Sequence, residues 1–149
     1  MTRDASGPAR ELWARTRLRV WPEVYRLVSL PVSALAEAAA LAAQAGGTFA
    51  ALILERDEVS LTLTEALWQA SALRGLARAD DGPYRAITFD LDLDLSVTGY
   101  LAPAAARLAE AGVSIVPQCA FRKDHLLVRD AQLARAVAVL EALVADCAR

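Results

Sequence analysis

The sequence predicts an α+β fold in which two copies of a strand–helix–strand–strand–helix unit pack in tandem as a sandwich. Three observations predict it. The same order of period-two and helical-period segments reads twice along the chain. Gly46-Gly47 and Gly112 each stop an Ala-rich helix, and a single offset of 66 relates Gly46 to Gly112. That offset also places Leu35 on Leu101, Thr48 on Ser114, Arg56 on Arg122, Leu61 on Leu127 and Leu67 on Leu133, so turns and return strands coincide along with the helix ends. One such unit is too small to bury its helices well, so the two are expected to pack together.

The elements follow in order. Residues 1–20 carry Arg3, Arg10, Arg15, Arg17 and Arg19 against Asp4 and Glu11, with Ser6-Gly7-Pro8 as a breaker, and read as a flexible basic tail that docks through Trp13 or Trp21. The first unit spans 21–78: a strand over 24–30, a helix over 34–45 capped by Ser33, a buried strand over 48–54, a turn at 55–58, a return strand over 59–63 and a helix over 65–77. Ala79-Asp80-Asp81-Gly82-Pro83 reads as a linker. The second unit spans 84–149: a long strand over 84–95, a loop, a helix ending at Gly112 with Pro103 in its first turn or at a kink, a strand over 113–120, a return strand over 125–128, and a final helix over 131–145 capped by Asp130. The source of a fourth strand for either unit is left open.

Composition excludes several functions. The chain has 149 residues, 56% of them hydrophobic and 23% charged, which suits a packed core and excludes overall disorder. A net charge of −2 argues against a general nucleic-acid binder, which needs a basic footprint. Cys119 and Cys147 stand far apart in no metal-binding spacing, and His125 is the single histidine, so no zinc or His-rich metal site is expected. No apolar run reaches membrane-spanning length and no signal peptide is evident, so the chain reads as a soluble cytoplasmic protein without membrane partners or a cofactor.

The stretch around which the second unit is organised is Asp94-Leu95-Ser96-Val97-Thr98-Gly99-Tyr100. It joins a strand to a helix, where backbone N–H groups lack intrahelical partners and the helix dipole favours an anion. Ser96 is the expected N-cap, with Thr98 and Gly99 adding a hydroxyl and close backbone access. A loop that only caps its helix is the alternative at this point.

Three segments carry a family resemblance: Leu95-Ser96-Val97-Thr98-Gly99-Tyr100-Leu101-Ala102-Pro103, then Leu108-Ala109-Glu110-Ala111-Gly112-Val113-Ser114-Ile115, then Lys123-Asp124-His125-Leu126-Leu127-Val128. With them residues 85–145 resemble the ACT regulatory domain, and more closely the small tandem-ACT proteins of the CASTOR-type arginine-sensor class. The resemblance implies ferredoxin-like βαββα units used in pairs, no catalytic activity, and an amino acid or similar small zwitterion held where two units meet. It implies ligand contacts from Asp94, Leu95, Ser96, Val97, Thr98 and Gly99, and from Ile115, Asp124 and His125 on nearby strands, with Asp124 receiving the ligand's cationic group. The chain departs from the family at Cys119-Ala120-Phe121, where the family carries Ser-Thr-Tyr. A homodimer is expected, because the open strand edges of such units find partners.

Two other readings compete. Asp90, Asp92 and Asp94 alternate along one strand face and are similar to the D-x-D of haloacid-dehalogenase-type phosphatases, which would make a metal-dependent phosphoryl-transfer enzyme. Alternation with Leu is also what any half-exposed strand shows, and no Lys or second acidic cluster follows at suitable spacing. The third reading is a dimerisation or interaction module that binds no small molecule.

Overall fold

In the computed structural model, which describes residues 5 and 7–149, the chain forms two compact units. Arg3, Asp4 and Ser6, read above as tail and breaker, lie outside the described residues. In order, the elements are α1 (Gly7–Arg15), β1 (Arg17–Val20), β2 (Tyr25–Leu30), α2 (Leu35–Ala42), β3 (Ala51–Leu54), β4 (Val59–Thr64), α3 (Glu65–Gln69), β5 (Ala79–Asp90), α4 (Leu101–Glu110), β6 (Ile115–Pro117), β7 (His125–Arg129) and α5 (Leu133–Ala148).

The unit Trp21–Ala86 is a βαββαβ arrangement. Its strands lie in the order β3-β4-β2-β5, so the first and third strands are central and the second and fourth lie outside them. This is the ferredoxin-like topology, and the strand pairings are antiparallel. Val28, Leu30, Leu61, Leu63 and Trp68 are fully or almost fully buried in its core, under Ala38 and Leu41 of α2. Small Ala side chains on α2 let the helix approach the sheet closely, and Gly46 ends the helical segment in the left-handed conformation, φ 60°.

Four expectations are corrected in this unit. Residues 79–83 are the start of β5, not a linker: Ala79, Asp80 and Asp81 pair with Ser29, Val28 and Leu27 of β2. The polar composition misleads because Asp80 is anchored by side chains, its carboxylate accepting from Arg26 Nε and Trp68 Nε1, each at 2.8 Å. The strand over 51–54 is not buried: it lies outside β4, with Ile53 and Leu54 about half exposed. The helix over 65–77 breaks after Gln69, because Ser71 takes an extended conformation and its hydroxyl accepts from Leu73 N–H, opening a separate 3₁₀ turn. Ser33 and Asp130 lie inside 3₁₀ turns, Val32–Ala34 and Asp130–Gln132, whose N-cap positions fall to Pro31 and Arg129.

The other unit combines the described residues through Val20 with Ile87–Arg149. Its strand order is β1-β5-β7-β6. The fourth strand, left open by the sequence, is β1, which pairs antiparallel with residues 87–90 of β5. The ferredoxin-like unit is thus completed from the beginning of the chain. Residues 7–20 are therefore a helix and a strand rather than a solvated tail. Trp13 is fully buried among Phe89, Tyr100, Leu108, Leu126 and Leu140, and α1 packs on α5. Hydrophobic spacing on α5 places Ala136, Leu140, Leu143 and Cys147 innermost, with Val137 and Val144 flanking them.

The offset of 66 holds for α2 and α4, which start at Leu35 and Leu101, and for β4 and β7, which start at Val59 and His125. It fails at the first strands. β2 ends at Leu30, five residues before α2 begins, whereas β5 ends at Asp90, eleven residues before α4 begins. That longer connection builds the candidate site.

Candidate functional site

The chain leaves β5 at Asp90 and crosses to α4 through a connection held by its own polar groups. Leu91 N–H donates to Phe89 O at 2.9 Å, and Val97 N–H to Asp94 O at 3.0 Å. Asp94 Oδ1 accepts from Ser96 Oγ at 2.5 Å and Ser96 N–H at 2.8 Å, and these bonds hold the carboxyl below its ordinary range. Ser96 therefore is not the N-cap of the helix. Asp94 competes for it locally, and the N-cap position falls to Tyr100, which makes no side-chain cap bond. Gly99 supplies the left-handed turn into α4, φ 76°. Pro103 sits in the first turn, where a backbone N–H would have no intrahelical acceptor.

The β6–β7 hairpin folds over this connection. Leu93 N–H donates to Arg122 O at 2.8 Å, and Phe89 N–H to Asp124 O at 2.9 Å. Ion pairs fasten the two walls: Arg122 lies 3.2 Å from Asp92, Lys123 bonds Asp90 and lies 3.6 Å from Asp92, and Arg19 of β1 adds a contact to Asp90 at 3.4 Å. The Lys123 hydrogen bond is the main reason the Asp90 carboxyl sits below its ordinary range. Between the walls lies a cleft of about 290 Å³. It is lined by Leu93, Asp94, Leu95, Val97 and Gly99 from the connection, Tyr100, Leu101 and Ala102 from the start of α4, and Ala120, Phe121, Arg122 and Asp124 from the hairpin. Every lining residue belongs to the unit containing Ile87–Arg149.

The structure brings together Asp94, Leu95, Val97, Gly99 and Asp124 of the residues singled out in the sequence. Ser96 and Thr98 are exposed on the same connection but stand outside the lining. Ile115 lies in β6, paired with Val128 and packed on the core. His125 is buried in β7 with Nδ1 2.8 Å from Thr88 Oγ1. Leu93, Tyr100, Leu101, Ala102, Ala120, Phe121 and Arg122 complete the cleft, and none of them is among the expected ligand contacts. An aromatic immediately before an Ala-rich helix, and an aromatic–basic pair in a turn, were the available signals.

Tyr100 is clamped from beneath by the N-terminal helix. Trp13 Nε1–H donates to Tyr100 O at 2.7 Å, and the two rings stack with centroids 4.8 Å apart. The Tyr100 hydroxyl lies 2.6 Å from Thr16 Oγ1, and burial pushes its pKa up to about 12. The floor of the cleft is therefore neutral and rigidly held.

The acidic residues of the D-x-D stretch are engaged by neighbouring side chains. Asp90 and Asp92 are tied to Lys123, Arg19 and Arg122, Asp94 is tied to Ser96, and no metal-binding cluster of His, Cys, Asp and Glu occurs among the described residues. Cys119 is exposed, but desolvation of its sulfur and the Asp124 carboxylate beside it push that thiol up to about 11, so the thiolate is scarce at neutral pH.

Burial likewise holds the His125 imidazole below its ordinary value of 6.5, with Arg19 and Lys123 acting in the same direction and Asp124 opposing. Its contribution to stability is therefore fully present above about pH 6.5 and is lost as pH falls below that, where the unfolded chain takes up a proton that the folded one resists. Urea midpoints at about pH 7.5 and 5.5 should differ more in wild type than in His125→Gln. Equal differences in the two proteins would remove His125 as a source of acid sensitivity.

Residues 81–142 match the ACT domain family. Among solved structures, the chain is similar to a Vibrio cholerae protein of unknown function, with a TM-score of 0.72 and 21% identity over 91% of this chain and 94% of that one. It is similar to an Agrobacterium tumefaciens protein, with a TM-score of 0.68 and 23% identity over 87% of this chain and 90% of that one. It is also similar to the regulatory subunit of aspartate kinase from Thermus thermophilus, with a TM-score of 0.60 and 10% identity over 86% of this chain and 97% of that one. Comparison with curated proteins finds no match. At these identities the structural likenesses establish the fold, the ferredoxin-like arrangement described above.

Proposed function

We propose that this protein is a non-catalytic regulatory module that binds an amino acid, or a similar small zwitterion, in the cleft between the β5–α4 connection and the β6–β7 hairpin. One observation carries this reading: the start of α4 and the Asp124 carboxylate line the same cleft. Leu101 and Ala102 open a ten-residue helix with no side-chain cap, so their N–H groups and the helix dipole suit a ligand carboxylate. Asp124 suits the ligand ammonium. Opposite charges held by opposite walls match the two ends of a zwitterion and discriminate against simple anions and cations. The ACT match over 81–142 and the likeness to the regulatory subunit of an aspartate kinase support a regulatory role.

The test is a thermal-shift screen of the common amino acids on the full chain, followed by calorimetry on each hit. A ligand at a hundred times its dissociation constant should stabilise by about 2.7 kcal/mol. Asp124→Ala should weaken the hit by about tenfold or more, since a charge-assisted hydrogen bond contributes roughly 1.5–3 kcal/mol. Circular dichroism checks that the variant keeps its fold. If no amino acid shifts the midpoint, or if Asp124→Ala binds the hit as wild type does, the reading fails.

A further inference from the structure

Leu95 and Phe121 are 72% and 76% exposed, the two most exposed large apolar side chains among the described residues. They come from segments 26 positions apart in sequence, yet both line the cleft, Leu95 from the β5–α4 connection and Phe121 from the hairpin. They also share the adjoining recess with Leu93, Asp92, Asp94 and Arg122. Two exposed apolar side chains on facing walls of one cleft offer an apolar group on a ligand a place to leave water.

The charged side chains beside them are already engaged. Arg122 Nη1 lies 3.2 Å from Asp92 Oδ2, and Asp94 Oδ1 accepts two bonds from Ser96. A ligand with a charged side chain would compete with these pairs and lie against Leu95 and Phe121. A ligand with an apolar side chain disturbs no ion pair and covers both exposed groups. The ammonium and carboxylate of the same molecule remain served by Asp124 and the start of α4. The three features together describe an α-amino acid whose third substituent is a hydrocarbon.

We infer that the cleft selects an apolar α-amino acid of the leucine, methionine or phenylalanine class, its side chain gripped between Leu95 and Phe121; this rests on the amino-acid reading of the site given above. The pair acts as a two-sided specificity jaw, one half on each wall.

Calorimetry on the full-length protein tests it, with leucine, methionine and phenylalanine set against alanine, serine, arginine and glutamate. The apolar three are expected to bind at least about tenfold more tightly than alanine, the scale on which hydrophobic pockets discriminate missing methylenes. In the Leu95→Ala, Phe121→Ala double variant that preference should shrink to about threefold or less. Both residues are exposed, so the variant keeps its core, and its unchanged thermal midpoint without ligand verifies this. Tighter binding of arginine, glutamate or serine would overturn the apolar selection while leaving the amino-acid reading intact. An undiminished preference in the double variant would overturn the assignment to Leu95 and Phe121. Absence of binding by any amino acid would overturn both this inference and the reading beneath it.

Discussion

Trp13→Ala is expected to lower the unfolding free energy by about 3–5 kcal/mol, the cost of deleting a fully buried tryptophan from a core that relaxes only partly. The indole is packed on three sides by named groups. It stacks on Tyr100 at 4.8 Å and 12°, meets Phe89 edge-on at 4.9 Å and 67°, and donates Nε1–H to Tyr100 O at 2.7 Å. Removing it opens a cavity at the junction of α1, β5 and α4 and frees the residue that heads the candidate cleft. Trp13→Phe separates these effects. It keeps an aromatic face but loses the hydrogen bond, so a smaller loss of about 0.5–1.5 kcal/mol is expected on top of imperfect packing. Urea unfolding followed by circular dichroism measures both variants. A loss under about 1 kcal/mol for Trp13→Ala would mean that the N-terminal helix is not part of the folded core in solution, and the assignment of β1 as fourth strand would fall with it.

The second large effect is expected at Trp68→Ala, again about 3–5 kcal/mol, in the unit Trp21–Ala86. Trp68 is fully buried in the core formed by Val28, Leu30, Leu61 and Leu63, and its Nε1–H reaches Asp80 Oδ2 at 2.8 Å. Asp80 also takes Arg26 through Nε at 2.8 Å and Nη2 at 2.7 Å. Burial alone would raise the Asp80 carboxyl, but the bonds from Trp68 and Arg26 outweigh it and hold the carboxyl below its ordinary range. Asp80→Ala leaves the indole N–H without this acceptor and should cost less, about 1–3 kcal/mol. The order of the two losses is the informative result. If Asp80→Ala costs nothing, the start of β5 is not anchored as described, and residues 79–83 behave as the linker their composition suggests.

What was legible in the sequence was local and repeated. The left-handed turns at Gly46 and Gly112, the starts of α2 and α4 at Leu35 and Leu101, and the starts of β4 and β7 at Val59 and His125 all follow one offset, because helix stops and alternating strands are written in nearest-neighbour chemistry. The D-x-D stretch was legible as acidic but not in its consequence, since its pairing with Arg19, Arg122 and Lys123 depends on two other segments folding against it. Part of the cleft was legible because it is local. Asp94, Leu95, Val97 and Gly99 form one continuous loop that runs directly into Tyr100 at the start of α4, whereas Ala120, Phe121 and Arg122 line the same space only because the hairpin closes over it.

By itself, then, the sequence determined that the chain holds two α+β units and that the helical segments after Leu35 and Leu101 stop at Gly46 and Gly112. Each of these rests on interactions between residues close in the chain. Tertiary structure alone decided that β1 completes the unit containing Ile87–Arg149, and that Ala79, Asp80 and Asp81 pair with β2 instead of linking two domains. It also decided that β5 stops at Asp90, leaving a longer connection than β2 leaves after Leu30. The physical reason is common to these cases. Strand identity in polar segments is conferred by the partner that takes up the backbone hydrogen bonds and by side-chain anchors such as Arg26 and Trp68 on Asp80, and neither is encoded in the segment itself.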